Sequence, residues 1–455
     1  MIVADMLNAE KHGKNNFKRV VIVGGGFAGL NAAKVLAGQS VSVTLIDRKN
    51  FHTFQPLLYQ VATAVLSPGQ IAQPLRRILY KAPNVKVIMG EIVGFDLKRK
   101  VAICNNGVGI PYDYLIVAAG ARHAYFGHDK WEFDAPGLKT IEDALEIRRR
   151  ILLAFELAER EACLTGKHQP LHFAVIGGGP TGVELAGAIA NIAKRSLSKD
   201  FKCIDFNECR ITLYEGATRI LGIYPERISH KAQKQLSELG VEVQTNSFVM
   251  DIEPGRIKIK NKWIPANVSL WASGIEASRI GRKLDAKTEG SGRVFVEPDL
   301  SLPGHPEVFV VGDMSLIKNA EGQTIPALGA PAMQEGRSAA RNILRDTRNQ
   351  KRINFLYKDR GSMATIGRHR AVAEIGKWYF SGYFAWFIWA LVHIFMLMGF
   401  RHRVAVFYEW IWTYFTRERS ARLITGNIDE LAIQLTGKAI SENNRNAKSP
   451  AKKEN

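Results

Sequence analysis

No cysteine follows Cys209, and the four present, Cys104, Cys163, Cys203 and Cys209, form neither a CxxC pair nor a metal-ligand spacing. That excludes a zinc module and a dithiol redox motif, and no metal is expected. The four are read as core or surface thiols of a reduced compartment. Acidic residues are also scarce, 43 Asp and Glu against 62 Lys and Arg, a formal charge of +19 that favours an anionic partner. The first residues, MIVADMLNAEKHGKNNF, lack the apolar core of a secretory signal, so the catalytic body is expected in the cytoplasm. One stretch lacks charge altogether: Phe380 to Phe400, 21 residues followed at once by Arg401 and Arg403.

The excess charge is concentrated at the same end. From Arg341 to Asn455 there are 20 basic and 9 acidic residues, and Trp378, Trp386, Trp389, Trp410 and Trp412 are five of the eight tryptophans. Basic charge beside interfacial tryptophan points to a bilayer surface. A nucleic-acid partner is disfavoured, since no recognition motif accompanies the charge.

Two glycine patterns dominate the rest. KRVVIV reads as a short strand, and GGGFAGLNAAKVLA after it places Gly24, Gly26 and Gly29 in G-x-G-x-x-G, opening a helix near Phe27. The first glycine allows the turn, the second lets backbone approach a pyrophosphate, and the third lets helix pack on strand. A second strand, VSVTLID, ends in Asp47, where a carboxylate can accept from a ribose. The pattern recurs with Gly177, Gly179 and Gly182, and the strand ITLY is followed by Glu215. A carboxylate there favours the free 2′-hydroxyl of NADH over a 2′-phosphate, although Arg219 lies close behind. Glu215 stands 33 residues past Gly182, so its connection is unusually long. Two such units imply two dinucleotides, most economically a nicotinamide and a flavin. The stretches Tyr112 to Gly120 and Val268 to Gly274 are matched apolar strands ending in small-residue turns, and VFVVGDMS puts Asp313 after a buried strand, within reach of a ribityl chain.

With FHTFQPLLYQVATAVLSPGQIAQPLRRIL (Phe51 to Leu79), GGGPTGVELAG, VFVVGDMS and FLYKDRGSMATIGRHRAVAEIG (Phe355 to Gly376), the chain from about Lys18 to about Thr425 resembles the type II NADH dehydrogenases, single-subunit non-pumping NADH:quinone oxidoreductases. The resemblance implies an α/β fold: two Rossmann-like dinucleotide-binding domains, for FAD and NADH, plus a C-terminal helical membrane-anchoring segment. It implies FAD on Gly24, Gly26, Phe27, Ala28, Gly29, Asp47, Gly120 and Asp313, and NADH on Gly177, Gly179, Pro180, Thr181, Gly182 and Glu215. Glu184 matches a family glutamate that handles a proton or hydride near the nicotinamide; the competing reading is a helix N-terminal acid favoured by the dipole. The family's quinone segment AQxAxQQG is here GAPAMQEG, so the quinone region is assigned to Ala330, Gln334 and Glu335, with Glu335 either relaying a proton or capping the helix that follows. The expected divisions are a polar leader (1–17), FAD-binding parts (18–137 and 297–345), an NADH-binding domain (138–296), a membrane-associating region (346–437) and a disordered basic tail (438–455).

The implied reaction passes hydride from NADH to FAD and two electrons on to a membrane quinone. A membrane-tethered NADH-binding flavoprotein with another acceptor is the alternative. A sulfide:quinone reductase is disfavoured, because its chemistry needs a redox cysteine late in the chain. Partners are then a membrane quinone and the bilayer through residues 378–425, with homodimerisation left open. The uncharged run is long enough to span about 30 Å of hydrocarbon. Basic residues on both sides of it, however, favour two helices lying in the cytoplasmic interface, the second exposing Val404, Phe407, Tyr408, Ile411, Tyr414 and Phe415. A membrane crossing or a buried hairpin remains the alternative.

Overall fold

A computed structural model of the chain describes residues 17–319, 321–416, 418–419, 421–426, 431–432 and 435, without the side chain of residue 195. The sequence-expected leader and tail lie outside these residues, Phe17 apart. Two compact units are present, and both are discontinuous. One comprises residues up to 53, 72–122 and 275–360; the other comprises 54–71, 123–274 and 361 onward.

The first unit is built on a six-stranded sheet in the order Ser301–Leu302, His305–Val310, Tyr114–Val117, Lys18–Val23, Val41–Asp47, Val85–Met89. All pairings are parallel except that of the two-residue edge strand. Parallel strands covered on both faces read as continuous apolar runs, and Val20, Val21, Ile22 and Val23 are all buried. The helix Phe27–Leu36 packs against the long helix Gly329–Asp346 with almost no side chain between them: a Cβ on Gly336 would lie 2.1 Å from the Ala28 carbonyl oxygen. That helix begins at Gly329, so Glu335 sits in its second turn and does not cap it, contrary to one of the two sequence readings.

The second unit repeats the theme with four parallel strands, Val241–Gln244, Arg210–Tyr214, His172–Ile176 and Val268–Trp271. A three-stranded antiparallel sheet, Ser362–Gly367, Arg370–Ile375 and Trp378–Gly382, lies against the helix Pro180–Asn191, where a Cβ on Gly187 would fall 1.7 Å from the Ile366 carbonyl oxygen. The helix Ile141–Thr165 opens with a capping box between Thr140 and Asp143 and closes on Gly166 in the left-handed conformation.

Two expectations are corrected here. Cys163 and Cys203 form a disulfide and are not free thiols. The long connection before Glu215 folds back over the end of helix Ile141–Thr165, where Glu159 accepts the backbone N–H groups of Lys202, Cys203 and Ile204. Cys104 and Cys209 are buried free thiols, as expected. The uncharged run is also not one helix. Phe380 to Gly382 ends a strand, and the helix that follows, Tyr383–Met396, has 14 residues, about 21 Å. The chain breaks before a second helix, Phe400–Thr416. Among the described residues no helix is long and apolar enough to cross a membrane.

Candidate active site

In the first unit the glycine loop is formed as its spacing demands. Gly24 has φ +102°, and a Cβ there would lie 2.3 Å from the Ala118 carbonyl oxygen. A Cβ on Gly29 would lie 1.9 Å from the Gly24 carbonyl oxygen, so any side chain would drive the helix off the strand. A Cβ on Gly26 would meet no neighbouring atom within 4 Å, which leaves this side of its backbone open where a pyrophosphate would approach. Phe27 and Ala28 are the first two residues of the helix, at its positive end. Asp47 accepts the Gly25 N–H at 2.5 Å on Oδ2 and the Lys49 N–H at 2.7 Å on Oδ1. Each oxygen keeps a lone pair for a ribose hydroxyl.

The second unit reproduces this geometry almost atom for atom. Gly177 has φ +112°, a Cβ on Gly182 would lie 1.8 Å from the Gly177 carbonyl oxygen, and Gly179 is open. Pro180 occupies the first helical position with Thr181 behind it. Glu215 takes the Gly178 N–H at 2.5 Å and the Ala217 N–H at 2.7 Å. Arg219 is spent on the carbonyls of Tyr224 and Gly222, at 2.6 and 2.9 Å, which holds its guanidinium in a local turn.

The remaining sequence-derived residues separate into distinct environments. Gly120, at φ +68°, ends the strand stretch of the first unit with open space around it. Asp313 lies half-buried in the short turn Gly312–Met314. Gln334 is engaged, its amide donating to the Lys358 carbonyl at 2.9 Å and accepting the Lys358 N–H at 3.1 Å. Ala330 is half-buried, whereas Glu335 is buried at 2% exposure.

Glu184 sits on helix Pro180–Asn191, and burial pushes its carboxyl up to about 8, opposed by a backbone hydrogen bond from Thr365. A helix N-terminus would lower that value, so burial outweighs the dipole. Its surroundings include residues to which the sequence assigns no role. The buried Tyr59 hydroxyl is pushed upward by burial and then by the Glu184 charge, and it accepts from Gln60 Nε2 at 2.8 Å. Gln60 Oε1 in turn accepts from Trp410 Nε1 at 2.7 Å, tying the helix Phe400–Thr416 to this polar cluster. Arg419, buried just beyond that helix, donates to the Thr63 carbonyl. Gln60 and Thr63 lie within YQVAT, part of the stretch that carries the family resemblance, but their partners Trp410 and Arg419 come from more than 300 residues away.

His52 was likewise unassigned. It lies edge-on to Phe27 with ring centroids 5.2 Å apart, and its Nδ1 is 3.0 Å from the Gly25 carbonyl oxygen. Burial lowers it to about 4, so it is neutral, with Nε2 buried and without a hydrogen-bond partner in the protein. An open glycine, a helix N-terminus and an acid with spare lone pairs fit an adenine dinucleotide in each unit.

The two C-terminal helices present apolar stripes to the outside. Phe384, Phe387, Leu391 and Phe395 are exposed on the first, and Val404, Phe407, Tyr408, Ile411, Trp412 and Phe415 on the second. Tyr414 departs from expectation: it turns inward, with its ring 4.9 Å from that of His369, and Trp412 takes its place in the stripe.

A family model for pyridine nucleotide-disulphide oxidoreductases matches residues 18–336, and one for the NDH2 C-terminal domain matches residues 360–418. The type II NADH:quinone oxidoreductase NdhA of Mycobacterium tuberculosis is 43% identical over 429 residues, covering 90% of both chains. The Ndh enzyme of the same organism, also a type II NADH:quinone oxidoreductase, is 40% identical over 93% of this chain and 96% of its own. A solved structure of NDH2 from Plasmodium falciparum in complex with NADH shares the fold, at TM-score 0.80 and 23% identity, over 90% of this chain and all of that one. With a family model over most of its length and relatives this close, the chain belongs to the type II NADH:quinone oxidoreductases.

Proposed function

We propose that this chain oxidises NADH and reduces a membrane quinone, with FAD as its cofactor and without pumping protons. The observation that supports this reading best is the duplicated cradle, since one dinucleotide site alone would serve many enzymes. FAD, when bound, supplies the carrier that accepts a hydride and gives up two electrons. The chain's residues bind and orient. Gly24, Gly26, Phe27, Ala28, Gly29, Asp47, Gly120 and Asp313 hold FAD. Gly177, Gly179, Pro180, Thr181, Gly182 and Glu215 hold NADH. Glu215, with Arg219 turned to local carbonyls, repels a 2′-phosphate and so selects NADH over NADPH.

Glu184 holds its proton at neutral pH and can release it at its carboxyl oxygen when negative charge develops nearby. Tyr59, hydrogen-bonded and buried beside it, fixes the local geometry. The expected quinone region comprises Ala330 and Gln334, with Glu335 buried beside them. The exposed apolar stripes of Tyr383–Met396 and Phe400–Thr416 rest in the interface of the bilayer where the quinone dissolves, on its cytoplasmic face, with Arg401 exposed for anionic headgroups.

The test is stopped-flow absorbance on detergent-purified holoenzyme. Anaerobic NADH should bleach the flavin band near about 450 nm, and a short-chain quinone should restore it rapidly. Bleaching without recovery would refute quinone reduction and favour another acceptor.

A further inference from the structure

Glu335 raises a physical problem. It is a carboxyl at 2% exposure on the apolar side of helix Gly329–Asp346, where an unpaired charge is costly. Its Oε2 accepts two hydrogen bonds, from the Gly312 N–H and from Ser315 Oγ, both at 2.6 Å. These two donors bracket the turn Gly312–Met314. Gly312 has φ +76°, and a Cβ on it would lie 3.2 Å from the Ala28 Cβ. The turn is therefore held between the first glycine-loop helix and Glu335, and Gly336, seated on the Ala28 carbonyl, fixes the height of Glu335 along its helix. Arg293 completes the frame by donating to the Ser315 and Ile325 carbonyls, both at 2.8 Å.

We propose that Glu335 is a positioning residue for FAD, clamping the turn that presents Asp313, and that it serves this turn instead of the quinone. The proposal rests on the reading of Asp313 as an FAD ligand. The clamp also responds to protonation. Burial pushes the carboxyl up to about 7, opposed by the hydrogen bonds from Ser315 and Gly312 and by Arg293, while Asp313 pushes it further up. Arg293 and Asp313 are thus the charged groups that face it. Lys34, on the packed helix Phe27–Leu36, lies near the like charge of Arg337. Because burial raises the carboxyl above its ordinary 4.5, its stabilising contribution is present at low pH and is lost as pH rises through about 7. The turn is therefore held less tightly at pH 8.5 than at pH 6.

The experiment follows FAD release from the holoenzyme by the rise in flavin fluorescence after dilution, at pH 6 and 8.5, together with the KM for a short-chain quinone. Glu335→Leu leaves the buried Gly312 N–H unsatisfied and turns Ser315 Oγ back to the Gly312 carbonyl alone, and should release FAD at least about tenfold faster. Glu335→Gln keeps an acceptor oxygen in place and should stay within about threefold of the wild type. Wild-type release should be about fivefold faster at pH 8.5 than at pH 6, and Glu335→Gln should show no such difference. Asp313→Asn is the control for the underlying reading. If it releases FAD at the wild-type rate, Asp313 is not an FAD ligand and the proposal falls with it. If Asp313→Asn loosens FAD but Glu335→Leu does not, or Glu335→Leu raises only the quinone KM, the clamp is refuted and Glu335 returns to the quinone region. A pH dependence that survives in Glu335→Gln overturns the protonation-linked part. Because Glu335→Gln preserves shape and hydrogen bonding, its flat pH profile is a signature that a general loss of folding would not produce.

Discussion

Replacing Glu184 with glutamine should stabilise the protein at alkaline pH while impairing its turnover. In the unfolded chain this carboxyl titrates near its ordinary 4.5, and in the fold burial raises it to about 8. A raised folded value means that the stabilising contribution is fully present below about pH 4.5 and is lost as pH rises through about 8. At 1.36 kcal/mol per unit the full difference is about 5 kcal/mol. The carboxyl retains some contact with water, so screening reduces this to about 3 kcal/mol. Glutamine has nearly the same shape and carries no such dependence. Glu184→Gln should therefore melt with the wild type at pH 4.5 and about 6 °C above it at pH 8.5, taking about 2 °C per kcal/mol for a unit of this size. Thermal unfolding of the holoenzyme by circular dichroism at the two pH values reads this directly. If the variant tracks the wild type at both, the carboxyl is not held protonated by burial. The argument for it as a proton donor at neutral pH then fails.

Three further outcomes are expected. Glu215→Gln should lower kcat/KM for NADH about tenfold and narrow the preference over NADPH, measured by steady-state kinetics with both nucleotides; an unchanged ratio would place selection elsewhere. Breaking the Cys163–Cys203 bond with Cys163→Ser should cost up to about 4 kcal/mol from the loop closed by its 40-residue separation, visible as a lower melting point that added dithiol does not reduce further. Exchanging Phe387, Leu391 and Phe407 for serine should release the protein from anionic lipid vesicles in a sedimentation assay without loss of bound FAD, since all three are exposed.

Legibility followed the range of the physics. The glycine loops could be read because their constraint is local: a Cβ at Gly29 or Gly182 meets the carbonyl of a glycine five residues earlier. The acids Asp47 and Glu215 could be placed because a strand end fixes them near their loops. The pairing of Cys163 with Cys203 could not, since it depends on how a long connection folds back over a helix. The bond from Trp410 to Gln60 spans 350 residues and leaves no trace in spacing. Tyr414 failed for another reason: helical periodicity defines a stripe, but His369 and Arg368 draw that ring inward. The uncharged run misled in length because composition does not reveal that its first residues complete an antiparallel strand.

The interleaving of the two units bears on how the chain reaches this state in a cell. A ribosome releases residues in order, yet the first unit closes only when 275–360 have emerged, and the second needs residues beyond 361 to cover Tyr59 and Gln60. Neither unit can complete itself early, so the nascent chain carries apolar strands unpaired for most of its synthesis. The helices Tyr383–Met396 and Phe400–Thr416, which emerge late, also expose phenylalanine and tryptophan. Maturation should therefore be most vulnerable to premature termination near residue 400, where a shortened product would hold most of both sheets and still lack the segment that seals its polar cluster.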